Sequence, residues 1–399
     1  MRALFSVDKT LWMLYNYTCM VKFYWSEYMS QTSVDNAPKK RLDSLQAVRA
    51  IGFLSIFTSH AGLSMLGPFG VSVFFVLSGF VFYYNYCDRQ IQCTPLKNFS
   101  FTFKHIKRLY PLHILMLIAA IPFAIEYLHN HPTMDEYVDQ GLRLLSCTFL
   151  VQTWVPILGY SFSFNAVAWF LATCMFFYWM FPFIVRVINR HNSTKSAIIR
   201  IMIVAFIQFC IAYGLRFLNW KEPYYSSFIK WVTYTCPLFR IGDCIIGCEL
   251  ACLYKNDKLK INKWLMTAAE ILVFVSVYFA QKIYLANNSF IGSDFFRFSI
   301  LYLPSACALV YLFARCGGYV SKLLTNKVVI FIGNISGYAF LIHQLAIRYV
   351  QKFYPLGKGA SVQLYCWVVF IISFAVTISL ALLYKYVYDR ITKRKSKQA

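Results

Sequence analysis

Residues 41–60 read RLDSLQAVRAIGFLSIFTSH, a run apolar enough to cross a bilayer that nevertheless carries Arg49 and His60. An ionisable group inside such a run is costly unless it is paired or wetted, so each of these side chains needs polar company within a protein. They are eleven residues apart. Eleven helical steps of about 100° return to within roughly 20° of the start, and at about 1.5 Å per residue they cover roughly 16 Å. Arg49 and His60 therefore share a face, Arg49 toward the cytoplasmic end and His60 toward the outer end, on one internal cavity.

Outward from this stretch the same composition continues. Of 399 residues, 59 % are hydrophobic, 19 % aromatic and 14 % charged, whereas soluble domains spend about a quarter of their residues on charge. Apolar runs follow at 69–86, 110–128, 167–188, 197–217, 229–254, 264–283, 296–314, 328–350 and 362–387. With 42–61 they predict an all-α, polytopic transmembrane helix bundle of about ten spans, because a helix satisfies its backbone hydrogen bonds within one segment. The half-length apolar piece 142–158 reads as re-entrant or interfacial.

The net charge of +23 is distributed, not patched. Basic clusters stand at Lys39, Lys40 and Arg41; at Lys104, Lys107 and Arg108; at Arg186, Arg190 and Lys195; and at Lys255, Lys258, Lys260 and Lys263. Lys322 and Lys327 precede the ninth run, and Lys393, Arg394, Lys395 and Lys397 end the chain. These fall on alternate loops, which predicts cytoplasmic termini and makes the bilayer, not nucleic acid, the partner of the basic excess. Residues 1–38 read as an interfacial or loose extension without the order of a signal peptide. Residues 39–392 form one transmembrane domain and 393–399 a basic cytoplasmic tail.

Metal chemistry finds little support. Cys244, Cys248 and Cys252 recur every four residues beside Gly247, as small packing residues do. Cys87 and Cys93 lack a second pair of the kind a zinc site needs. His129 and His131, near Glu126, Asp135, Glu136 and Asp139, suit a polar outer loop, with no spacing that fixes a ligand geometry. No metal and no resident cofactor are expected.

The Arg49–His60 segment resembles the first-span motif of the membrane acyltransferase 3 family, in which an Arg and a His are separated by ten residues. FGVSVFFVLSGF (69–80) resembles the family's second-span signature, and KHIKRLYP (104–111) its basic helix entering the third span, with Arg108 and Pro111 in register. AWFLATCMFFYWMFP (168–182), PLFRIGDCIIG (237–247) and IGNISGYAFLIHQ (332–344) are similar to later family segments, in the family's order. One departure stands out. Many relatives carry a Glu in the fourth-span motif, where this chain has Thr173, Cys174 and Met175.

The resemblance implies an O-acyltransferase of the bacterial cytoplasmic membrane that takes an acyl group, expected to be acetyl, from cytoplasmic acyl-CoA. The acceptor would be a hydroxyl of a surface polysaccharide or lipid-linked sugar, and acetyl-CoA would be a substrate, not a bound cofactor. His60 has the chemistry of a general base, with a covalent acyl-imidazole as an alternative. Arg49 suits donor positioning or oxyanion stabilisation, and Arg108 the phosphates of the coenzyme. Arg240 and Asp243, three residues apart on one helical face, are either donor-binding residues or an internal ion pair. Ser336 and His343 either line the same cavity or pack. Glu249 and Glu270 are further acids within apolar runs. A transporter or flippase of lipid-linked sugar would share the many spans and internal charges, although no inverted repeat is visible.

Overall fold

The computed structural model describes residues 42–89, 91–221, 226–257, 259–286, 294–298, 300–357 and 361–398. The extension expected at 1–38 lies outside these residues, as do Lys39, Lys40 and Arg41. Among the described residues there is no strand. The helices are α1 (Ser44–His60), α2 (Gly67–Tyr86), α3 (Pro95–Ile106), α4 (Tyr110–Asn130), α5 (Met134–Thr148), α6 (Leu158–Ser161), α7 (Ala168–Arg190) and α8 (Thr194–Lys221). They continue as α9 (Ser226–Lys230), α10 (Pro237–Asn256), α11 (Lys263–Leu285), α12 (Asp294–Arg297), α13 (Leu303–Arg315), α14 (Tyr319–Leu324), α15 (Lys327–Phe353) and α16 (Val362–Gln398). A π-helical turn, Trp231–Thr235, joins α9 to α10.

Seven described helices are long and apolar enough to cross a membrane: α2, α4, α7, α8, α11, α15 and α16. The other three expected spans are helices as well, and each misses that mark for a physical reason. α1 has 17 residues and α13 has 13, while α10 carries Arg240, Asp243 and Glu249, all fully buried. Helices packed inside a bundle need not be apolar on every face. The opposite holds at the periphery, where α8 buries 11 % of its most apolar window against 78 % for α2.

α2 packs most extensively on α10, and α1 lies between α2 and α15. Two glycines set the first contact. A Cβ on Gly79 would fall on the backbone of Cys244, and one on Gly247 on the backbone of Val76, so the helices approach to backbone distance. Gly333 does the same for α15, where a Cβ would strike the backbone of Gln46 on α1.

Helix starts are written locally. The Asn326 side chain accepts from Val328 and Val329 N–H at 3.0 and 3.1 Å and caps α15. Glu270, expected within a span, turns its carboxylate onto the start of α14, accepting from Gly318, Val320 and Ser321 N–H at 3.0–3.1 Å. The stretch expected to re-enter, 142–158, is not one helix. α5 runs antiparallel to α4, with Tyr127 donating to Glu136 at 3.2 Å and Tyr110 donating to the Thr148 carbonyl at 2.9 Å. The chain then turns through a 3-10 segment, Gln152–Trp154, and α6.

Candidate active site

His60 is the last residue of α1, and the fold carries it to His343 of α15, 283 positions away. His60 Nδ1 lies 2.9 Å from His343 Nε2. Their ring planes agree within 6° at a centroid separation of 5.0 Å. Rings in face contact keep about 3.5 Å between planes. A 2.9 Å nitrogen pair therefore requires the two imidazoles to meet edge to edge, nearly coplanar. His343 is fully buried and boxed by aromatic rings, with Phe53 at 5.9 Å edge-on and Phe57 at 5.4 Å. Its Nδ1 lies 2.7 Å from the Phe340 carbonyl one turn earlier. His60, the last residue of its helix, is exposed.

The wall beside this pair comes from a segment that the sequence did not mark. Asn165 Nδ2 donates to the Leu341 carbonyl at 2.9 Å, and Val167 N–H donates to Gln344 Oε1 at 3.1 Å. Arg348 Nη1 donates to the Phe164 carbonyl at 2.9 Å. Residues 164–167 are thus pinned along α15 on either side of His343. Asn165 was legible only as a polar residue flanking an apolar run, and Gln344 only as a polar residue within one.

Arg49 is partly buried on α1, roughly 16 Å from His60 along the helix by helical rise, where its charge bears on Tyr178 of α7. Ser336 lies two turns before His343 on the same face of α15, and its hydroxyl donates to the Gly333 carbonyl of its own helix at 2.8 Å. Arg108 leads into α4, and its Nε donates to the Tyr338 hydroxyl while the guanidinium stands 5.0 Å from the centroid of that ring. Tyr384 of α16 closes this corner by donating to the Arg108 carbonyl at 3.1 Å. α3 beside it exposes Leu96, Phe99 and Phe103 and carries Lys97, Lys104 and His105, the pattern of a helix lying in a membrane interface. His105 has its pKa lowered by burial and meets the Tyr86 hydroxyl at 2.8 Å.

Arg240 and Asp243 are not brought to the histidine pair. Both are fully buried, with Nη2 3.0 Å from Oδ2. Arg240 donates to the Phe298 carbonyl at 3.0 Å and lies over the Phe75 ring, while Gln208 donates to Asp243 at 2.8 Å. Glu249 forms a two-pronged pair with Arg200 at 2.5 and 2.8 Å. Thr173 donates to the Thr235 carbonyl at 3.2 Å and ties α7 to the π turn. Among the described residues no three His, Cys, Asp or Glu side chains converge as metal ligands would. The Cys248 and Cys252 thiols donate to the Gly79 and Asn192 carbonyls at 3.3 and 3.4 Å.

Seven described helices long and apolar enough to cross a membrane, with internal charges on the helices packed among them, are the architecture of a multi-pass membrane protein, and a histidine pair stands at the C-terminal end of the helix that carries Arg49. Residues 42–385 match the family model described as an acyltransferase domain. The chain belongs to that family, the acyltransferase 3 family. It is 23 % identical over 377 residues to O-acetyltransferase OatA of Staphylococcus aureus (strain NCTC 8325 / PS 47), covering 88 % of this chain and 57 % of that protein. It is 25 % identical over 332 residues to a putative O-acetyltransferase of Staphylococcus aureus (strain COL), covering 79 % of this chain and 52 % of the relative. The chain thus spans little more than half the length of these curated relatives. No solved structure matches it.

Proposed function

We propose that this protein is a membrane-embedded O-acyltransferase that moves an acyl group, acetyl in the simplest case, from cytoplasmic acyl-CoA to a hydroxyl of an envelope glycan. The observation that carries the reading is the His60–His343 contact, which sets an ionisable ring of an exposed residue at the C-terminal end of the helix bearing Arg49; that end is taken as the outer one. Membership of the acyltransferase family and the names of the relatives support the chemistry.

In this mechanism the His60 imidazole takes the proton of the acceptor hydroxyl as that oxygen attacks the thioester carbonyl. The C–O bond forms, the C–S bond breaks, and the leaving thiolate recovers the proton from the imidazolium, so His60 returns unchanged. Arg49 stands on the donor side, where a planar guanidinium orients the thioester carbonyl or stabilises the oxyanion. Lys104, Lys107 and Arg108 suit the phosphates of the coenzyme at the cytoplasmic surface, since those charges cannot enter hydrocarbon. Both termini are assigned to the cytoplasm of a bacterial cell.

The test uses purified full-length protein in vesicles with labelled acetyl-CoA and envelope glycan from a strain lacking the protein. Wild type should label the glycan, and His60→Gln should lower the rate by at least about a hundredfold with insertion unchanged, as loss of a general base requires. Normal acylation by the glutamine variant would make His60 structural. Movement of a lipid-linked sugar across the vesicle without acylation would replace the enzyme by a flippase.

A further inference from the structure

We infer that His343 is a positioning residue that fixes the tautomer of His60, leaving His60 Nε2 as the nitrogen that takes the acceptor proton; this rests on the acyltransferase reading above. The chain of reasoning starts at a backbone oxygen. The Phe340 carbonyl has only lone pairs to offer, so His343 Nδ1, 2.7 Å away, carries a hydrogen and donates it. His343 is fully buried among Phe53, Phe57 and Phe340. A second proton on Nε2 would place a full charge in that apolar box. Its Nε2 therefore presents a lone pair, and the nitrogen 2.9 Å away, His60 Nδ1, must be the donor.

With Nδ1 protonated, a neutral His60 has its remaining lone pair on Nε2, on the ring edge turned away from His343. The coplanar edge-to-edge geometry aligns the Nδ1–H with the accepting lone pair. When His60 gains a proton at Nε2, the Nδ1–H donor, now more acidic, already has its acceptor. No dipole needs to turn during the reaction. A carboxylate behind a catalytic histidine also holds its tautomer; here the same ordering comes from a neutral ring anchored to a helix carbonyl. His343 touches no reacting atom and acts only through His60.

The experiment uses full-length protein labelled with ¹⁵N-histidine in lipid vesicles, read by magic-angle-spinning NMR. The chain has seven histidines, and the His60 signals are identified as those lost in His60→Gln. Wild type should show His60 as the Nδ1–H tautomer. His343→Leu should turn it into a mixture and lower kcat at least about tenfold with donor KM unchanged, because a misassigned tautomer withdraws the base without weakening binding. His343→Gln, whose amide oxygen can accept from His60 Nδ1, should restore the tautomer and most of the rate. An Nε2–H tautomer in wild type overturns the inference, even if the leucine variant fails to insert. So does a leucine variant with wild-type tautomer and rate. A wild-type protein with the Nδ1–H tautomer that acylates nothing would refute the proposed function instead.

Discussion

Arg240 and Asp243 show what this bundle does with charge that is not presented to a site. Both lie at zero exposure, and their 3.0 Å contact is supplemented by the Phe298 carbonyl, the Phe75 ring and Gln208. Every partner named is protein, and neither side chain reaches the surface as His60 does. Removing one member strands the other, which typically costs about 3–5 kcal/mol, whereas replacing both by apolar groups of similar volume is often tolerated. Arg240→Met and Asp243→Asn should each lower the melting temperature in detergent clearly, and the Arg240→Met, Asp243→Leu double variant should recover part of the loss. Equal loss in the double variant would remove the ion-pair reading and favour a donor-binding role. At this scale the sequence was informative where partners share a helix: three residues on α10 must face alike. It brought His343 to the cavity of His60 only as one of two readings, without the contact itself, and was silent on Arg108 with Tyr338. Those pairs join helices far apart in the chain, and apolar flanks of similar composition do not say which face meets which.

Among the elements, α2 and α10 make the closest approach, and it depends on the absence of two side chains. Gly79 faces the backbone of Cys244, and Gly247 faces that of Val76. A methyl at either position has only backbone to displace, so the helices must separate, and overpacking of this kind costs about 1–3 kcal/mol. Gly247→Ala should therefore lower thermal stability and the yield of inserted protein. Gly141→Ala on α5, where nothing lies within 4 Å of the new methyl, should be neutral or slightly stabilising because alanine is the better helix former. Equal melting temperatures for Gly247→Ala and wild type would show that the two helices have room to spare. The cysteine ladder beside Gly247 pointed to this packing from sequence, since small residues every four positions make a smooth face. Element ends were less legible. The run 229–254 reads as one span, yet the π turn and Pro237 divide it, because proline has no N–H to continue the preceding hydrogen-bond ladder.

At the scale of the whole molecule, the number of crossings decides where the ends lie. Seven crossings alone would put the two ends of the chain on opposite sides of the membrane. Adding α1, α10 and α13 gives an even number and returns both ends to one side. The inner helices miss the length and charge expected of a crossing for different reasons: α1 and α13 are short, and α10 bears Arg240, Asp243 and Glu249. The charged residues of α10 are covered by other helices, while α8 and α16 leave most of their apolar surface uncovered by protein. The basic clusters at 39–41, 104–108, 186–195, 255–263 and 393–397 fall on one side only if all three inner helices cross. A reporter placed after Lys397, one placed between Lys255 and Lys263, and a tag at the amino terminus should all read cytoplasmic. An external reading for the carboxyl-terminal reporter, with the amino-terminal tag inside, would mean an odd number of crossings. At least one inner helix would then end within the membrane, and the assignment of His60 to the outer surface would have to be made again from that helix.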